Sequence, residues 1–309
     1  MRVATIDLGS NTVRLLVADV DPVTRRWRAV DADQRVTRLG EGLATTGRLG
    51  ETPAQRTAAV VGEYAARARR GGAERVSIVA TSAVREAANG SSFAAALERS
   101  TGERVTVVTG EQEATLTLAG VLAGLGDRPA AGASVVFDIG GGSTEYILAR
   151  GDRAAATVSL RLGVVDLTER YPFPGPIDWE RYRDLQAEIA ERLTREVPPA
   201  IRVTPPGYLV GTAGTATTLA ALDLGLPTYD AERVQGHVLT RDAIDRQLAR
   251  LGALTVVERG ALPCLEPGRA DLIVVGTAIV LATLDLTGEE RMTVSDWGLR
   301  EGILVGPGV

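Results

Sequence analysis

The chain has 309 residues, of which 45% are hydrophobic and 4% aromatic, and a formal net charge of −5 at pH 7; this is enough apolar material for two domains with separate cores, and too few rings and too little positive charge for a nucleic-acid surface. All 34 basic residues are arginine, which excludes a Gly-Lys-Ser/Thr phosphate loop, a Schiff-base lysine and a kinase strand lysine. One histidine, His237, and one cysteine, Cys264, exclude an internal disulfide, a zinc cluster and a His-rich metal site, so hydrolytic chemistry has to come from carboxylates, backbone N–H groups, arginine and a hard metal ion.

The first expected elements are two apolar strands, Val3 to Asp7 and Val13 to Val20, joined by the turn Asp7-Leu-Gly-Ser-Asn-Thr-Val-Arg14. Gly9 allows close backbone approach there, Ser10 and Asn11 add side-chain donors, and Asp7 at the strand end is placed to hold Mg²⁺ directly or through water. A polar hairpin in which Asp and Asn serve only the turn is the plainer alternative. Two more strands are expected at Trp27 to Asp31 and Arg35 to Leu39, then a helix from Thr52 to Arg70 with Pro53 in its first turn, and a buried strand at Arg75 to Ala80. At Ala80-Thr-Ser-Ala-Val-Arg-Glu86 the strand passes into a helix, and the free N–H groups with Ser82 and Arg85 suit an anion, N-capping by Thr81 or Ser82 being the alternative.

Helices at Ala83 to Ala87 and Ser92 to Ser100 lead to a strand at Arg104 to Val108 and a further helix from near Gly110. Thr109 and Gln112 form a capping box, and Glu111 and Glu113 complement the helix dipole. That accounts for Glu111, and a carboxylate of this segment, near the domain boundary, could also reach a cleft as a general base. The Gly- and Pro-rich run Gly124 to Gly132, GLGDRPAAG, marks a domain boundary.

The second half restarts with strands at Val135 to Asp138, Thr144 to Ala149 and Ala154 to Ser159. The turn Asp138-Ile-Gly-Gly-Gly-Ser-Thr-Glu145 carries Gly140, Gly141 and Gly142, more glycine than a hairpin needs, which suggests that side chains would collide with something lying on it. Ser143 and Thr144 follow as further anion donors. A helix over Asp178 to Arg195 precedes a strand at Tyr208 to Gly211 and the turn Gly211-Thr212-Ala-Gly214-Thr, again shaped for phosphate or, alternatively, for close helix packing. Helices after Thr212, Arg241 and Arg269, a strand at Met292 to Ser295 and a helix at Gly298 to Val305 complete the chain.

The stretches Val3 to Val17 and Ser134 to Leu148 read as strand-turn-strand copies, and aligning them sets Arg14 against Glu145, each seven residues after its Asp. The order, two strands and then alternating helices and strands, is that of α/β domains with mixed sheets. It suggests a duplicated domain with a cleft between the copies. The expected limits are 1–124 with about 296–309, the last helix crossing back, and 125–295. No apolar run reaches the ~18 residues of a membrane helix and no secretion signal opens the chain, so a cytoplasmic protein without membrane contact is expected.

At these residues the chain resembles the exopolyphosphatase / guanosine pentaphosphate phosphohydrolase (Ppx/GppA) family, within the acetate and sugar kinase, Hsp70 and actin superfamily. The resemblance runs collinearly through DLGSNTVRLLV, ATSAVREAANGSSF, VTGEQEATLTLAGV, DIGGGSTE, LVGTAGTATTLAAL, RADLIVVGTAIV and VSDWGLREGIL. It implies two duplicated RNase H-like domains and Mg²⁺- or Mn²⁺-dependent hydrolysis of a terminal phosphoanhydride, in inorganic polyphosphate, guanosine pentaphosphate or both. The family's general base lies in a Gly-x-Glu-Glu-Ala motif whose second Glu falls on Glu113, while Gln112 replaces the first.

By the same matching, Asp138 and Glu145 resemble the metal- and water-orienting carboxylates, Arg14, Arg85 and Arg269 resemble phosphate contacts, and Gly211 to Thr215 resembles part of a ligand wall. Long members carry an added HD-type region, which a chain with one His could not furnish with its metal site; the likeness is to the short, two-domain members, for which a preference for short polyphosphates is expected. A homodimer is the default expectation. The alternatives are a small-molecule kinase of the same superfamily and a non-catalytic sensor of guanosine tetra- or pentaphosphate.

Overall fold

The computed structural model describes residues 1–21, 23–24, 26–126, 132–202 and 207–306. Most of the expected boundary segment, residues 127–131, lies outside the described residues. The chain divides into two compact units, Met1–Gly120 with Leu299–Val309, and Val121–Gly298.

The first unit runs β1 (Arg2–Leu8), β2 (Thr12–Val20), β3 (Trp27–Val36), α1 (Leu43–Thr46), α2 (Glu51–Arg70), β4 (Arg75–Ala80), α3 (Ser82–Glu86), α4 (Gly90–Thr101), β5 (Val105–Val107) and α5 (Gly110–Leu125), whose last residues belong to the second unit. The sheet order is β3-β2-β1-β4-β5, with β1, β2 and β3 antiparallel and β4 and β5 parallel to β1. Central β1 is buried on both faces because both are covered. Ala4, Ile6 and Leu8 join the α2 face residues Val61, Tyr64 and Ala68 in one core, while Val3 packs with Leu16, Ala18 and the late-chain Leu304. Alternation therefore puts Thr5 and Asp7 on the second face. The strands expected at Trp27 to Asp31 and Arg35 to Leu39 are corrected: a single strand, β3, runs through to Val36 and leaves Thr37 to Leu39 outside it, because the segment Ala32 to Gln34 alternates on an exposed edge instead of turning.

The second unit runs β6 (Ala133–Ile139), β7 (Thr144–Arg150), β8 (Arg153–Leu160), α6 (Val164–Arg170), α7 (Trp179–Glu196), α8 (Pro199–Arg202), β9 (Tyr208–Thr212), α9 (Ala213–Asp223), α10 (Ala231–Val234), β10 (Val238–Thr240), α11 (Arg241–Gly252), α12 (Val256–Gly260), a 3₁₀ turn (Pro267–Arg269), α13 (Ile273–Thr287) and β11 (Arg291–Ser295). The final helix α14 (Leu299–Val305) returns to the first unit. The order β10-β11-β9-β6-β7-β8 contains β8-β7-β6-β9-β11, which repeats β3-β2-β1-β4-β5 strand for strand and direction for direction, with β10 added at the edge. Both units thus have the RNase H-like arrangement. Val135, Phe137, Tyr146, Leu148, Met292 and Val294 face a core filled by α7, α9, α11 and α13, leaving Asp138 and Glu145 on the opposite face.

Candidate active site

The two glycine turns are built alike. Gly9 N–H donates to Thr12 O at 3.1 Å and Gly140 N–H donates to Ser143 O at 2.9 Å, and a Cβ on either glycine would lie 3.0 Å from that carbonyl. Each turn also has its carbonyls tied down by a later segment. In the first unit Thr37 and Arg38 N–H donate to Asn11 O and Gly40 N–H donates to Ser10 O, with Arg38 at φ 51. In the second, Val164 and Val165 N–H at the start of α6 donate to the Gly140 and Gly141 carbonyls at 3.1 and 2.9 Å. Occupying the negative ends of these peptide dipoles removes a repulsion that an approaching anion would otherwise meet.

Gly163 packs against the glycine run: a Cβ there would sit 2.2 Å from Gly141 O and 2.3 Å from Gly142 Cα. Ser143 and Thr144 are buried beneath it, and Thr144 Oγ1 donates to Leu162 O at 2.5 Å.

Ser10 and the Ser82–Arg85 junction, read separately in the sequence, come together. Ser10 Oγ accepts the Ala83 N–H at 3.2 Å, so Ser10 caps α3, while Ser82 Oγ donates to Glu86 Oε1 at 3.3 Å. Asn11 Nδ2 donates to Thr12 Oγ1 at 3.3 Å, and its buried Oδ1 has no partner among the described residues. The expected capping box at the start of α5 is formed, Thr109 N–H donating to Gln112 Oε1 at 2.9 Å and Gln112 N–H to Thr109 Oγ1 at 3.2 Å. One residue on, Glu113 is 7% exposed and accepts from Arg85 Nη1 at 2.8 Å, which also donates to Val108 O at 2.9 Å. The candidate base and a candidate phosphate contact are thus an ion pair, which orients the carboxylate at the head of α5.

In the first unit Asp7 and Arg14 are cross-strand partners 3.7 Å apart. The second unit has Asp138 opposite Glu145 at the corresponding register. Extending that register across the sheet gives a polar row, Ser159, Glu145, Asp138, Thr212 and Ser295, on β8, β7, β6, β9 and β11. Glu145 is 1% exposed and accepts from Ser159 Oγ at 2.6 Å. Thr212 and Ser295 hydroxyls both donate to Trp297 O, at 3.2 and 2.7 Å, and Gln235 Oε1 accepts Asp296 N–H at 2.7 Å, which pins the turn after β11.

No group of three or more metal-ligating side chains occurs among the described residues. Paired carboxylates on one sheet face nevertheless fit Mg²⁺, which is commonly held by one or two carboxylates with waters and substrate phosphates instead of an all-protein cage. Asp7, with Arg14 beside it, has its charge offset by a cation already.

The residues of the third turn divide by role. Gly211 serves the core, since a Cβ would lie 2.8 Å from Phe137 Cζ and 2.9 Å from Met292 Sδ. Gly214 makes room for Arg269, whose Nη1 would be 2.5 Å from a Cβ; Arg269 also pairs with Glu266 at 3.2 Å. Between them Ala213 holds φ 66, a left-handed conformation costly for a residue with a side chain. Ser159, Gly163, the Thr37–Gly40 strap and the Gln235–Trp297 contacts escaped the sequence reading. Of these, only Gly163 carried a local signal, a glycine directly before the apolar pair Val164-Val165.

A model described as the Ppx/GppA phosphatase family matches residues 16–307. Exopolyphosphatase 2 of Mycobacterium tuberculosis is 37% identical over 319 aligned positions, covering 98% of this chain and 97% of its own. Among solved structures, the Aquifex aeolicus member of the Ppx/GppA protein family aligns with a TM-score of 0.82 at 36% identity, over 99% of this chain and 96% of that one. An exopolyphosphatase from Cytophaga hutchinsonii aligns with a TM-score of 0.88 at 27% identity, over 98% and 96%.

Proposed function

This chain belongs to the Ppx/GppA phosphatase family, and on that premise we propose that it hydrolyses the terminal phosphoanhydride of inorganic polyphosphate and releases orthophosphate. The observation that carries this reading is the Arg85–Glu113 pair, a buried carboxylate for the proton of water and a part-buried guanidinium for phosphate oxygens within 2.8 Å of each other. Water attacks the terminal phosphorus, its proton passes to Glu113, the bridging P–O bond breaks and the shortened chain leaves as an oxyanion. Arg85 binds the terminal phosphoryl group, with the Ser10–Asn11 turn as a further donor of the first unit and the Gly140–Ser143 turn as the phosphate-binding turn of the second. Asp138 and Glu145 would hold Mg²⁺ or Mn²⁺, which would supply positive charge to offset that developing on the phosphoryl oxygens. Such chemistry depends on positioning and electrostatics, so a site without lysine or a covalent nucleophile suffices.

Guanosine pentaphosphate presents the same terminal bond and is a second substrate in this reading. The test is phosphate release with Mg²⁺ from short polyphosphate, long polyphosphate, guanosine pentaphosphate and ATP, measured side by side. Faster release from polyphosphate than from ATP supports the reading, with the ratio of short to long chains reporting length preference. Binding of guanosine pentaphosphate without turnover of any substrate rejects it in favour of a sensor. ATP consumption that requires an added acceptor rejects it in favour of a kinase.

A further inference from the structure

Asp138 and Glu145 stand directly opposite each other on β6 and β7. Like charges in that relation repel, and a glutamate side chain has rotamers enough to swing away. Glu145 is also 1% exposed, and burial at that level requires hydrogen-bond donors for the carboxylate. The next strand supplies one: Ser159 on β8 is the cross-strand partner of Glu145, and its Oγ donates to Glu145 Oε1 at 2.6 Å. This is a short, charge-assisted bond. The fold itself does not require a hydroxyl there, since the equivalent position of the first unit, opposite Arg14, is Gln34 on β3.

We propose that Ser159 is a positioning residue for Glu145. By holding Oε1 toward β8 it limits the swing of the carboxylate that would hold Mg²⁺, against the push of Asp138. This inference rests on the reading of Asp138 and Glu145 as the metal-holding pair.

The test uses Ser159→Ala, Ser159→Thr, Glu145→Ala and the double variant Glu145→Ala/Ser159→Ala in the full chain, with Mn²⁺ binding followed by calorimetry and phosphate release from polyphosphate followed in parallel. Loss of a bond of this kind costs about 10-fold in metal affinity or turnover. Ser159→Ala should therefore weaken Mn²⁺ binding and lower kcat by about that factor with KM for polyphosphate unchanged. Ser159→Thr, which keeps the hydroxyl, should restore both, a rescue that a packing role would not give. The double variant should match Glu145→Ala alone, because the serine acts only through the glutamate. Wild-type Mn²⁺ affinity in Ser159→Ala, additive losses in the double variant, or absence of Mn²⁺ binding by the wild-type chain would overturn the proposal. If the wild-type chain binds Mn²⁺ but releases no phosphate, the functional reading fails, while the Mn²⁺ titration of the serine variants still decides the role of Ser159.

Discussion

Two arginines, the part-buried Arg85 and the buried Arg259, show how the same residue type is put to different uses. Arg85 is paired with Glu113 and anchored on Val108 O, a geometry that carries charge to a place where phosphate chemistry can use it. Glu113→Gln keeps an acceptor for Arg85 but cannot take a proton, so phosphate release should fall by at least about 100-fold while the melting temperature holds. Retained turnover in that variant would dismiss Glu113 as the base. Arg259 is 0% exposed and donates to three carbonyls, Leu251 O, Phe173 O and Gly175 O, at 2.8, 2.8 and 3.0 Å. Its work is to tie α11 to the loop before α7. Arg259→Ala strands those acceptors in the interior and should cost about 3 kcal/mol of stability or more, measured by urea unfolding. Nothing in the local sequence VVERG separates this arginine from a surface one; its role comes from residues 84 and 86 positions away in the chain.

At the scale of elements, most strands were legible because their apolar runs end in Gly, Ser or Asp, though not the three-residue β10 or the unbroken β3, and α2 and α7 were legible because their buried faces recur at helical spacing. The short α6 was not, since seven residues carry too little periodicity, yet α6 is what seats the glycine run. Gly163→Ala forces a Cβ against the backbone of Gly141 and Gly142, so the turn must shift. Phosphate release should drop about 10-fold or more, with a stability loss of about 1–3 kcal/mol from overpacking. Full activity in this variant would mean that the position of the turn is not critical. Helix α14 offers a structural contrast. A Cβ on Gly302 would lie 1.8 Å from Leu116 O, so Gly302→Ala should loosen α14 from α5 and lower the urea midpoint.

For the molecule as a whole, surface carboxylates set the response to acid. Hydrogen bonds from Arg2, Arg35 and Arg192 hold Asp19, Glu63 and Glu196 below their ordinary values of 3.8, 4.5 and 4.5, as the backbone and hydroxyl of Thr255 hold Glu258. A carboxyl depressed on folding stabilises the protein above its unfolded value, and that contribution disappears as pH falls through the folded one. The melting temperature should therefore be flat above about pH 5 and decline as pH drops below about 4.5; a decline that begins near neutrality would assign acid sensitivity elsewhere. The amino-acid sequence by itself determined the duplication, the strand-turn-strand units, the absence of lysine chemistry and the candidates Glu113, Asp138 and Glu145. The first three are properties of composition and short-range pattern, which the chain carries wherever it is placed, while the carboxylates were singled out by the resemblance to a known family. Tertiary structure alone decided that Arg85 meets Glu113, that Gly211 serves packing while Gly214 admits Arg269, and that Ser159 stands beside Glu145. Each of those pairings depends on strand register or on the seating of a distant helix, and register is fixed by the burial of a whole sheet face rather than by any local signal.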